Sequence, residues 1–231
     1  MEKINELGSE RFVSGDIQSL IGKDLLKYSS WPIFQKYWTN LEIDRYMNDG
    51  GTYRQRRFGR FKWKAGDTQV HLQTHRPYQQ PIYFNPLNGG LKRDFAPVTL
   101  SMAKNPILQE LLTALATTYA HLEDVESWKI NTYFNRIVAR PEEDGLPVPE
   151  GMHRDGVKFS CLFMVNRFNI SGGETTLFDL MHKEPIFNKT LILPGQTIIF
   201  RDDTVFHDTT SIKVIDETQL GFRDILVIEF H

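Results

Sequence analysis

Cysteine is nearly absent from this chain of 231 residues, Cys161 being the only one. An internal disulfide is therefore excluded, and so is any metal site built from several thiolates. The one thiol lies in the apolar run Phe159-Ser-Cys-Leu-Phe-Met-Val165 and reads as a small buried hydrophobe in a reducing compartment. No stretch approaches the roughly 20 apolar residues of a membrane span, and the start, Met-Glu-Lys-Ile-Asn-Glu-Leu-Gly, lacks the apolar run of a signal peptide. The expectation is a cytoplasmic protein with no membrane partner. Charge of one sign is missing as well: 27 Lys and Arg face 29 Asp and Glu, so nothing in the total attracts nucleic acid or anionic lipid. There is no Gly-x-x-x-x-Gly-Lys, no strand-linked Gly-x-Gly-x-x-Gly and no Gly-x-Ser-x-Gly, which removes the signatures of a phosphate cradle, a dinucleotide fold and a serine nucleophile. Internal repeats and low-complexity segments are absent too.

What is present supports a real core, with 40% hydrophobic and 12% aromatic residues. A single domain over 1–231 is expected. Apolar residues between 16 and 48 fall at helical spacings, and Pro106 to Ala120 is the clearest helix, with Asn105 as its cap and proline in its first turn. From about residue 127 the texture changes to short β-branched and aromatic runs: Trp128 to Ala139, Phe159 to Phe168, Glu174 to Phe178, Thr190 to Leu193, Gln196 to Phe200, Val205 to Val214 and Phe222 to Phe230. Several short strands so spaced indicate a sandwich or barrel, with the jelly roll the obvious candidate. The reading is mainly β with N-terminal helices (α+β): a helical and accessory-strand region over 1–126 and a jelly-roll catalytic core over 127–231.

The chemistry concentrates in Glu150-Gly-Met-His153-Arg-Asp155-Gly156 and in His207. On an extended chain residues two apart share a face, so His153 and Asp155 can reach one ion while Arg154 points away. Gly151 and Gly156 free the turn around them. His207 lies 52 residues beyond Asp155 (207 − 155), past the Pro194-Gly195 turn and a strand, a separation that in a jelly roll returns the chain to a neighbouring strand. Two imidazoles and one carboxylate hold Fe(II) on one face and leave three positions open for oxygen chemistry.

Arg223 precedes Ile-Leu-Val-Ile and is expected to enter a buried strand. A buried guanidinium needs a carboxylate, best met in bidentate geometry. Asp202, Asp203 or Asp224 could supply it structurally; the functional alternative is the distal carboxylate of 2-oxoglutarate, whose other end chelates the iron.

Taken together, Glu150-Gly-x-His153-x-Asp155-Gly156, Gly172-Gly-Glu-Thr, the Asp-rich segment before His207 and Phe222-Arg-Asp-Ile-Leu-Val resemble the small 2-oxoglutarate/Fe(II)-dependent dioxygenase family that includes bacterial L-isoleucine 4-hydroxylase. The resemblance is strongest over residues 130 to 231. It implies a double-stranded β-helix (jelly-roll, cupin-like) core, His153, Asp155 and His207 as iron ligands, Arg223 as the anchor of 2-oxoglutarate, and dioxygen as oxidant. The implied reaction is oxidation, by hydroxylation before desaturation or ring closure, of an unactivated C–H bond of a free amino acid, with release of succinate and CO2. Many related dioxygenases carry a serine two residues after the arginine, where this chain has Ile225; Thr209 or Tyr133 are candidates for the missing hydrogen bond.

The run Tyr53-Arg-Gln-Arg-Arg-Phe-Gly-Arg-Phe-Lys-Trp-Lys64 mixes arginine with aromatic residues. It can be a solvated edge strand, a nucleic-acid surface, or a strand beside the active site. Its spacing is similar to the family's N-terminal half, so Arg54 and Arg56 are candidate substrate contacts, with Arg136 a further one. His71-Leu-Gln-Thr-His75 has metal-pair spacing but no helical context and no third ligand, and His121, His182 and His231 lack partners. Three functions compete: an amino-acid dioxygenase with a small-molecule partner, a dioxygenase acting on nucleic acid or a protein side chain, and a non-enzymatic cupin-like binding module. Nucleic acid is the disfavoured partner, and a homo-oligomer is left open.

Overall fold

The computed structural model describes residues 3–85, 87 and 89–231. Its elements are, in chain order, β1 (Phe12–Asp16), α1 (Ile17–Ile21), α2 (Trp31–Lys36), β2 (Glu42–Ile43), β3 (Arg54–Lys64), β4 (His71–Leu72), α3 (Leu100–Ala103), α4 (Pro106–Glu123), β5 (Ser127–Ala139), β6 (Phe159–Phe168), β7 (Ile170–Gly172), β8 (Glu174–Asp179), β9 (Pro185–Thr190), β10 (Gln196–Arg201), β11 (Val205–Thr209), β12 (Ile212–Val214) and β13 (Gly221–Phe230). A large antiparallel sheet runs β1-β10-β6-β13-β5-β3-β2, with β4 also on β3; opposite it lie a three-stranded sheet, β11-β8-β9, and the pair β12-β7. The large sheet and the two smaller antiparallel ones close on a shared interior, giving the jelly-roll-like fold expected. No helix among the described residues is long and apolar enough to cross a membrane.

Strand alternation explains why the large sheet has two different faces. Along β6, Phe159, Cys161, Phe163 and Val165 face the helices, while Leu162 and Met164 face the smaller sheet. The helix-side face is covered chiefly by α4. Its Asn105 side chain accepts the Ile107 amide at 2.9 Å, Pro106 occupies the first turn where no amide is needed, and Asp124 ends it in the left-handed region at φ 52°. Ile107, Leu108, Leu111, Leu112, Leu115 and Tyr119 then fall on one stripe and are buried. Tyr119 stacks on Phe159 at 4.1 Å and meets Phe230 edge-on. At about 1.5–3 kcal/mol per fully buried large apolar side chain, this layer is a main source of stability.

The inner face positions the site. Arg54, Ile137, Arg223 and Arg167 lie side by side across β3, β5, β13 and β6, and Phe58, Tyr133, Val227 and Leu162 form a row two steps away on that face. β6 carries one extra residue: Asn166 pairs with Asp224 but Met164 with Ile225, so Val165 is bulged. The bulge resets the alternation and brings Arg167 opposite Arg223.

The strand expected at Thr190 to Leu193 is instead β9, ending at Thr190, with Leu191 buried as core beyond it. The single run expected over Val205 to Val214 breaks into β11 and β12, which pair with different partners. The basic-aromatic run is not a solvated edge: β3 pairs with β5 on one side and with β2 and β4 on the other, and Arg54 and Arg56 are buried.

Candidate active site

The cavity of interest opens between the inner face of the large sheet and β11. His153 and His207, 54 residues apart (207 − 153), form an isolated antiparallel bridge, each amide bonded to the other's carbonyl at 3.0 and 2.9 Å. Their rings lie 4.3 Å apart. Asp155 completes the group, and one ligand atom from each residue lies within 4.8 Å of the others. Asp155 Oδ1 is 3.5 Å from His153 Nε2 and Oδ2 is 3.8 Å from His207 Nε2, so both rings turn Nε2 inward. His153 Nδ1 sits 2.9 Å from the Gly151 carbonyl, a contact that keeps a proton on Nδ1, so that Nε2 is the nitrogen that would give up its proton to a metal. Gly156, at φ 81°, turns the chain where a Cβ would strike the Phe84 ring at 2.8 Å.

The charges of the three residues act on one another. Burial opposes the charge on Asp155, but His207, His153 and a 2.7 Å bond from the Ser160 hydroxyl hold the carboxylate far below its usual range. His153 is likewise opposed by burial, yet its hydrogen bond and proximity to Asp155 push it up to about 9. His207 is lowered to about 4 by burial and by His153. Its Nδ1 is buried with no hydrogen-bond partner, the nearest carboxylate oxygen, on Asp202, being 3.9 Å away.

Arg223 reaches the same cavity from β13. None of the three aspartates considered for it is its partner: Asp224 is paired with Arg136, Asp202 with backbone amides and Arg154, and Asp203 with Lys158. Its Nε and Nη2 are buried and have no hydrogen-bond partner among the described residues, and burial, with repulsion from Arg167, lowers it to about 10. Gly173 leaves the space open, since a Cβ there would lie 3.3 Å from Arg167 Nη1 and 3.5 Å from Arg223 Cδ.

A buried His-Asp-His group facing an arginine with no acid of its own is the arrangement to which the comparison with known families speaks. The family described as 2OG-Fe dioxygenase matches residues 35–229. The chain belongs to that family. Relatives of this dioxygenase include the 3(1)-hydroxy-L-isoleucine 4-dioxygenase of Pantoea ananatis, 26% identical over 85% of this chain and 78% of that one, and the L-isoleucine-4-hydroxylase of Bacillus thuringiensis, 25% identical over 99% and 94%. The crystal structure of a bsmA homologue from Methylobium petroleophilum PM1 superposes with a TM-score of 0.87 at 31% identity, covering 99% of this chain and 91% of that one.

Fe(II), 2-oxoglutarate and dioxygen are therefore the dioxygenase's metal and cosubstrates, and the donor set fits them. Two imidazoles, each neutral once bound to metal, and a carboxylate suit ferrous iron, and a buried, unpaired guanidinium suits a dicarboxylate.

The other sequence candidates divide. Thr209 lines the cavity and shares a 2.9 Å hydroxyl contact with Thr175. Tyr133 lines it too, but its hydroxyl donates to Glu229 Oε2 at 2.8 Å. It pairs with Val227, four residues from Arg223 or roughly 13 Å along the strand, and leans away from the arginine. The expected bond from Tyr133 to the distal carboxylate is therefore corrected. Arg136 is corrected as well: it gives Nε and Nη2 to Asp224 at 2.7 Å on the helix-side face and stacks on Phe222. Arg54 and Arg56 do line the cavity, both beside Asp44. His71 and His75 face Asp67 and Asp94 at the surface and meet no third ligand.

Three groups escaped the sequence reading, Asp44, Arg93 and Glu229, and Asp202 was considered there only as a partner for Arg223. Asp202 carried a signal, since it lies in the Asp-rich segment before His207. Arg93, in Gly90-Leu-Lys-Arg-Asp, and Glu229, in the last strand, carried none.

Proposed function

We propose that His153, Asp155 and His207 hold Fe(II), that Arg223 with Thr209 anchors the distal carboxylate of 2-oxoglutarate, and that the enzyme hydroxylates an unactivated C–H bond of a free amino acid, with Arg54 and Arg56 on the substrate side. The single observation carrying this is that one cavity joins the ligand trio, an arginine lacking any acid partner, and a second arginine group on another strand. The amino-acid substrate is supported by the two curated relatives, both named for isoleucine or a hydroxylated isoleucine.

Iron supplies activation of dioxygen coupled to decarboxylation of 2-oxoglutarate to succinate and CO2. The chain's own residues set the aim. Asp155 brings negative charge to the metal and is held by Ser160. Leu162, Ile225 and Val227 form an apolar wall that keeps water from the reacting centre. Arg223 would hold the far end of the cosubstrate and so restrict its orientation in the cavity. The test is anaerobic incubation with Fe(II) and 2-oxoglutarate, then admission of air over a panel of free amino acids. Succinate and a product heavier by one oxygen atom are expected together; succinate that no amino acid stimulates would refute the substrate assignment.

A further inference from the structure

Three arginines, not two, meet on the substrate side. Arg54 and Arg56 come from β3, and Arg93 arrives from the loop before α3; all three are buried and line the cavity. Asp44 is the acid among them. Its Oδ2 accepts Arg54 Nε at 2.9 Å and lies 3.1 Å from Arg56 Nε, which is not aligned to bond and has no partner. Arg93 Nε is also buried without a partner, and its bond to Gln80 Oε1 is a long 3.5 Å. The two guanidinium carbons crowd the Phe95 ring at 4.6 and 5.5 Å. Burial and repulsion from Arg54 lower Arg56 to about 9, with Arg93 adding to the effect. Among the described residues Asp44 is the one carboxylate within ion-pair distance of these arginines, which leaves positive charge that an entering anion would neutralise.

An acid stands across the cavity. Glu229 on β13 is buried, and its donors, the Tyr133 hydroxyl at 2.8 Å and Asn131 Nδ2 at 3.2 Å, both reach Oε2, so Oε1 keeps its lone pairs. Tyr133 spans the gap, with Arg56 6.0 Å above its ring and Glu229 at its hydroxyl. Gln80 meanwhile donates to the Asp155 carbonyl at 2.9 Å while accepting from Arg93, which ties the cationic end to the metal-side loop.

We propose that Arg56 and Arg93 together grip the α-carboxylate of the substrate and that Glu229 takes its α-ammonium, so the cavity selects a zwitterionic α-amino acid and rejects one blocked at either end. This rests on the amino-acid reading above and sharpens it: residues inside a peptide, which carry neither charge, are excluded.

The experiment measures binding without turnover. The enzyme is loaded with Mn(II) and 2-oxoglutarate and titrated calorimetrically with free L-isoleucine, L-leucine and L-methionine. The tightest binder is then compared with its N-acetyl derivative, its methyl ester and the 2-hydroxy acid that replaces ammonium by hydroxyl. Loss of a charge-assisted contact predicts a weakening of about 10- to 100-fold for each altered ligand. In Glu229→Gln the gap between amino acid and hydroxy acid should close; in Arg93→Gln both should weaken while the gap remains. Unchanged affinity for 2-oxoglutarate reports that each variant is folded, and the wild-type ligand series decides the matter if one is not. Equal binding of the free and N-acetylated ligand, or wild-type binding by both variants, overturns the clamp while leaving an amino-acid substrate intact. If 2-oxoglutarate binds but no free amino acid does, the amino-acid reading itself fails, and the clamp with it.

Discussion

Asp202 binds the main-chain amide of Asp155 through Oδ1 at 2.8 Å, while its Oδ2 takes the amides of Gly156 and Val157 at 2.9 and 3.1 Å. One carboxylate thus fixes the turn that presents Asp155. Burial and the charge of Asp155 push Asp202 up to about 7, so the arrangement is held against an electrostatic cost. Asp202→Ala would leave three main-chain amides without their acceptor, that of Val157 fully buried and the other two partly so, and should destabilise the fold by about 2–4 kcal/mol. It should also weaken metal binding about 10- to 100-fold, as lost support for a ligand does. Denaturant unfolding and Mn(II) titration check both; wild-type metal affinity in this variant would refute the role.

Arg223 gives a prediction with opposite signs for two readouts. With Nε and Nη2 buried and unpartnered, it costs stability until a carboxylate arrives. Arg223→Met should raise the thermal midpoint of the ligand-free protein, yet weaken 2-oxoglutarate by about 10- to 100-fold, the worth of a charge-assisted pair. A destabilised ligand-free variant would argue instead for a structural arginine.

His153→Ala and Asp155→Ala should each abolish the rise in thermal midpoint that Fe(II) gives anaerobically, because a ligand that binds only the native state stabilises it by an amount that grows with the logarithm of its affinity. The ligand-free midpoints should fall as well, because Asp155 is held by both imidazoles and by the Ser160 hydroxyl, so the metal response is read against each variant's own metal-free midpoint. Thermal scans with and without metal decide it.

Asp44 sets an acid-side limit on stability. Burial opposes its charge, but Arg56, Arg54 and the Tyr46 amide together hold it below its usual range. A carboxylate depressed on folding contributes stability that is complete above the unfolded value of about 4 and is lost as pH falls through the folded value. Asp44→Asn should therefore flatten the loss of stability below about pH 4. At neutral pH it should cost about 3 kcal/mol, the penalty for breaking a buried pair on one side. Unfolding measured from pH 7 to pH 2 tests both; an unaltered acid limb would show that Asp44 is not ionised in the fold.

The legibility of the site followed how locally each part is encoded. His153 and Asp155 sit two apart in one turn, so their shared target could be read directly. The helix Pro106–Glu123 was readable from cap, proline and stripe, all within 18 residues. Arg54 and Arg56 could be singled out by spacing, but Arg136 could not be separated from them by sequence, because its face depends on strand parity. Tyr133 lines the cavity, and the direction of its hydroxyl, set by Glu229 from another strand, is not encoded near it in the sequence.

Residue chemistry and short-range periodicity in this chain determined the mainly β class, the ligand types and the arginine that precedes the final apolar run. Those features rest on interactions a few residues long, and the order of residues carries them without help. Only the tertiary structure decided that the aspartates near Arg223 leave it unpaired, that Arg93 and Glu229 share a cavity with Arg56, and that a bulge at Val165 sets Arg167 against Arg223. These depend on which strands pair and in what register, and pairing between distant segments is chosen by the burial of the whole sheet rather than by any residue alone.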